Sequence, residues 1–134
     1  MATRLFKDAN LKQSVALPNA ANTVTTNSID CGSAAGFPLS EAFQVRLSTT
    51  AATGANDKNI TIVLQSSNEA NANFTNIAEL ATLVINEGSS AYAATNREIS
   101  IPPGQAKRYL KASATGEANG GNAADGTLTI ELLF

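Results

Sequence analysis

The chain has 134 residues, of which 43% are hydrophobic and 15% charged, and its net charge is −2. That composition excludes a disordered polyelectrolyte and suits one domain around one core, because folding at this size buries roughly two thirds of the surface the unfolded chain exposes. The nine basic residues, scattered from Arg4 to Lys111, form no cationic stripe for phosphates, and no apolar run approaches the ~20 residues of a membrane helix, so neither nucleic acid nor membrane is an expected partner.

In residues 1–18, Arg4, Lys7, Asp8 and Lys12 interrupt Leu5, Phe6, Leu11, Val15 and Leu17 without a clean period. The segment reads as an extended N-terminal arm, leaving 19–134 as a single β-sandwich domain. An arm of this kind has too little apolar surface for its own core but enough to dock on a neighbour or back on its own domain, and Leu5, Phe6 and Leu11 are its candidate partner contacts. It holds no signal-peptide hydrophobic segment, so synthesis in the cytoplasm is expected.

Further along, 23–26 and 28–31 read as two consecutive strands or one strand bent around Asn27. Cys31, the single cysteine, can form no internal disulfide and reads as a buried thiol. Phe43, Val45 and Leu47 alternate with Gln44, Arg46 and Ser48, as a half-buried strand requires. Ile60, Ile62 and Leu64 do the same. Residues 77–85 are harder to phase, since Leu80 and Val84 share one face and Leu83 and Ile85 the other, and a strand with a bulge is the expectation. Ile99 and Ile101, then Leu110, Ala112 and Ala114, then Leu128, Ile130, Leu132 and Phe134 complete the alternating segments. Gly-, Asn-, Asp- and Pro-rich turns separate them, among them 53–57, 67–71, 102–104 and 116–126. The whole reads as an all-β chain, an antiparallel β-sandwich or jelly roll of about eight short strands.

Catalytic chemistry finds little footing. Without histidine there is no Ser-His-Asp or Cys-His arrangement and no histidine metal site, and the acidic residues stand singly. Asp57 and Asp125 could each lend an oxygen to calcium, but neither lies in a ligand-spaced loop and both read as turn residues. The sequons at Asn59-Ile60-Thr61 and Asn73-Phe74-Thr75 carry no weight without a secretory segment, and 116–126 lacks the Lys-Ser/Thr ending of a phosphate loop. No catalytic residue, metal or cofactor is assigned, and the chain is expected to bind and not to catalyse.

Three stretches resemble a known family. Thr25 to Gly32 is similar to a short strand ending in Ile-Asp-small-Gly. Ile60 to Ser67, leading through an Asn-rich loop to Phe74, is similar to a strand, Gln-Ser and Phe segment. Ile101 to Leu110 is similar to a Pro-x-Gly turn followed by a basic pair and an aromatic. Together these resemble the small jelly-roll capsid cement, or decoration, proteins of tailed bacteriophages, over about residues 20–134. The resemblance implies a structural protein made in the host cytoplasm that sits on the capsid exterior of the virion. It further implies a homotrimer that bridges neighbouring major capsid proteins. A β-sandwich module of a phage tail, spike or baseplate, and a carbohydrate-binding jelly roll, are the other readings.

Overall fold

A computed structural model describes residues 11–31, 43–52, 59–77, 82–86, 93–102, 105–117 and 122–133. Ten strands run in chain order: β1 (Lys12–Ala16), β2 (Thr23–Thr25), β3 (Ile29–Asp30), β4 (Phe43–Thr49), β5 (Asn59–Ser67), β6 (Thr75–Asn76), β7 (Thr82–Asn86), β8 (Thr95–Ile101), β9 (Tyr109–Gly116) and β10 (Thr127–Leu133). No helix occurs among the described residues.

The strands form two antiparallel sheets. One has the order β1-β10-β4-β8. In the other, β9 and β5 are central, β2 and β3 both pair with β9, and β6 and β7 both pair with β5. β2 and β3 are thus two halves of one edge strand broken at 26–28, and β6 and β7 are two halves of the opposite edge. With those two pairs merged, the ten strands become eight. Successive strands alternate between the sheets except where β5 turns into β6 and β7, which is the strand order of a jelly roll.

Period-2 alternation places the core between the sheets. Val45, Leu47, Ile101, Leu128, Ile130 and Leu132 point inward from one sheet, and Ile60, Ile62, Leu64, Leu110, Ala112 and Ala114 from the other, and all of these are buried. The register sets Ala114 beside Ile62 and Ala112 beside Leu64, so small side chains on β9 make room for large ones on β5. At the far end of β9, Gly116 is required by close approach: its N–H donates to the Asn22 carbonyl at 3.1 Å, and a Cβ there would stand 2.0 Å from the Ala20 carbonyl oxygen.

The later part of the segment read as an arm belongs to the first sheet. β1 pairs with β10 from Lys12 opposite Glu131 to Ala16 opposite Thr127. Leu17, 1% exposed, donates its N–H to the Gly126 carbonyl at 2.9 Å. The alternation was hidden because Gln13, a polar residue, shares the inward phase with Val15. Leu11, partly buried, packs against this chain's own core. Leu5 and Phe6 lie outside the described residues, as does the core position expected of Phe134. β6 is an element the sequence pattern did not mark. The strand expected over 77–85 is represented by Ile77, whose N–H donates to Leu64 O at 2.9 Å, and by β7.

Candidate functional site

The second sheet carries a groove on its outward face, built where its broken edge strand meets the loop after β5. At the break, the Thr26 N–H donates to Ala112 O at 2.9 Å and the Ala112 N–H donates to Thr26 Oγ1 at 3.1 Å. A side-chain oxygen thus replaces a backbone carbonyl in the ladder, and the chain lifts away at Asn27 and Ser28 before β3 rejoins β9. The two short strands expected on either side of Asn27 correspond to this feature.

The opposite wall is the 68–74 loop. Ser67 faces outward yet is 1% exposed, because the loop folds back over it. Its hydroxyl accepts the Glu69 N–H at 3.0 Å and donates to Ala72 O at 2.5 Å. Asn73 adopts φ of 57°, a left-handed conformation that a short amide side chain tolerates, and its amide donates to Glu69 Oε1 at 2.6 Å. Ser28 Oγ donates to Ala70 O at 2.9 Å and clamps the loop to the broken edge strand.

This folding carries Phe74 over the middle of β9, where the Lys111 ammonium lies 4.1 Å from the ring centroid. Thr25 to Ser28 form one side of a depression of about 270 Å³, Ala70, Asn71 and Phe74 the other, and Lys111 completes it. The side-chain amides of Asn27 and Asn71 make no hydrogen bond to another described residue. Beside Lys111, Gln65 is already engaged, its amide donating to Asn76 Oδ1 at 2.8 Å.

Two neighbouring groups have structural uses. Arg108 makes a paired contact with Asp30, Nε to Oδ1 at 2.9 Å and Nη2 to Oδ2 at 3.0 Å, and lies 5.0 Å from the centroid of the Tyr109 ring. The hydrogen bond to Asp30 raises the Arg108 pKa above its ordinary value. Cys31 is buried, and burial first and the nearby Asp30 charge second push its thiol up to about 12, so it stays protonated and unreactive.

Asp57 lies outside the described residues, and Asp125 sits in the turn entering β10. Among the described residues no group of three or more Cys, Asp or Glu could hold a metal ion. The described end of the 116–126 loop packs on residues 17–19, with the Ala123 N–H donating to Pro18 O at 3.2 Å and Asn122 bridging to Asn19. The groove was missed as a site. Its signal was an Asn-rich loop ending in one of only five phenylalanines.

No family model matches the chain, and no curated protein matches it. Among solved structures, it is similar to a cleaved adhesin domain of Lys-gingipain from Porphyromonas gingivalis. The identity is 13%, the match covers 97% of this chain and 87% of that one, and the TM-score is 0.41. A likeness that loose carries no argument about what this chain binds. The capsid reading is corrected: no family model and no curated protein matches the chain, and the solved structure named above is a bacterial adhesin domain, not a phage protein. The homotrimer, the bridging of major capsid proteins and the place on the capsid exterior are withdrawn with it.

Proposed function

We propose that this chain is a non-catalytic binding module that takes a saccharide in the groove between the broken β2–β3 edge and the 68–74 loop. The observation that supports this reading is the meeting, in one depression, of an aromatic ring with two uncommitted amides, those of Asn27 and Asn71. A sugar needs that combination: its polarised C–H edges suit an aromatic face, and its hydroxyls need donors and acceptors not already spent. The volume of about 270 Å³ lies just below the range of small-molecule sites, which begins at roughly 300 Å³.

Glycan-array binding followed by calorimetry tests the reading. At least one saccharide class should bind, with a Kd between about 1 μM and 1 mM, and should be recovered unchanged. Phe74→Ala should weaken that binding about tenfold while the chain keeps its β-rich circular dichroism. Absence of any saccharide binding, or full affinity in Phe74→Ala, would refute the site.

A further inference from the structure

The groove holds one cation, and its surroundings leave that charge unanswered. Arg46 and Arg108 each have carboxylate partners, Glu98 at 2.7 Å and Asp30 at 2.9 Å. Lys111 has none among the described residues. The Phe74 ring 4.1 Å from its ammonium stabilises a cation by its quadrupole without neutralising it. The carboxylate in the adjoining loop, Glu69, is bonded to the Asn73 amide.

Position distinguishes Lys111 from an ordinary surface lysine. It is half-buried on a central strand, with Gln65 opposite it on β5, and its reach is confined by the ring above. Holding an ammonium this way spends side-chain entropy in advance, so an incoming anion would order less than it would at a free lysine.

Resting on the saccharide reading, we propose that the groove selects an anionic saccharide, with a carboxylate or sulfate on the Lys111 ammonium and sugar hydroxyls on the Asn27 and Asn71 amides. The charge on Lys111 then sets which saccharide is preferred, and Phe74 with the amides sets that a saccharide binds at all.

Calorimetry on the full chain separates these roles with three probes: an oligogalacturonate, its neutral methyl ester, and a sulfated galactan oligosaccharide. At least one anionic probe should bind about tenfold tighter than the ester, as expected for one charge-assisted hydrogen bond. Which anion gains more tells carboxylate from sulfate. Lys111→Gln should abolish the preference for the anionic probes over the ester, and Lys111→Arg should keep it. Raising the salt from about 0.05 to about 0.5 M should weaken the anionic probes and spare the ester. Equal affinity of ester and anionic probes for the unaltered chain would overturn the selectivity and leave the saccharide site standing. If no probe bound and no glycan on the array did, both would fall.

Discussion

The two outward faces of the sandwich are built from similar residues but leave different chemistry exposed. Across the β1-β10-β4-β8 sheet the register lines up Lys12, Glu131, Arg46 and Glu98, a row of alternating sign. Arg46 reaches Glu98 at 2.7 Å and Glu131 at 3.8 Å, and the next row ties Ser14 to Thr129 hydroxyl to hydroxyl at 2.9 Å. On that face Arg46 has a carboxylate on either side, although its Nε is buried without a hydrogen-bond partner. The face over β9 and β5 instead carries a folded-back loop, two uncommitted amides and a cation without a carboxylate among the described residues. Polar groups in excess of their internal partners are what a ligand can use, and among the described residues the groove brings Asn27, Asn71 and Lys111 together.

The largest expected effect lies between the faces and should not discriminate them. Leu64 is fully buried on β5, and Leu64→Ala should lower unfolding stability by about 2–5 kcal/mol in urea titration. The folded fraction should still bind saccharide normally. A smaller and one-sided effect is expected at Ser28, whose hydroxyl clamps Ala70. Ser28→Ala should cost about 0.5–1.5 kcal/mol, and hydrogen exchange should quicken in 68–74 but not in β4 or β10. If exchange rose equally on both faces, the loop would not be the separable unit the comparison requires.

Smaller still is the expectation on the β1-β10-β4-β8 face. Arg46→Gln should change stability by no more than about 1 kcal/mol, because its carboxylate partners are partly exposed, and should leave saccharide affinity unchanged. A large binding loss in this variant would move function to the wrong face. The last expectation concerns pH and falls on Cys31. Its folded pKa is raised from 9.0 to about 12, so the folded state keeps a proton that the unfolded state releases. Its contribution is fully present below pH 9 and is lost as pH rises toward about 12. Cys31→Ala should therefore flatten the alkaline fall in stability, and thiol reagents should label the native chain only as fast as it opens.

The parts of the fold legible in the sequence are those where the core phase is mostly apolar. β4, β5, β9 and β10 alternate Val, Ile, Leu or Ala with polar residues, and each inward position described on them is buried apart from the cap at Gly116. β1 was obscured because Gln13 occupies the inward phase, and only its pairing with β10 reveals it as a strand. β6 is two residues long and has no period to read. The break at Asn27 was legible as a bend, but not its use. The groove depends on a contact between Ser28 and Ala70, 42 positions apart, and on Phe74 landing on Lys111, and no local pattern encodes either. The phage resemblance failed for a related reason: strand endings, Pro-Gly turns and aromatic strand starts recur in many sandwiches and specify shape before partner.

The most direct test of the central claim is an amide NMR titration of the full chain with the tightest saccharide from the array. Shift changes should cluster at Thr25 to Ser28, Ala70 to Phe74 and Lys111, and leave Arg46, Glu98, Thr129 and Glu131 still. Changes centred on the β1-β10-β4-β8 face, or none at saturating saccharide, would contradict it.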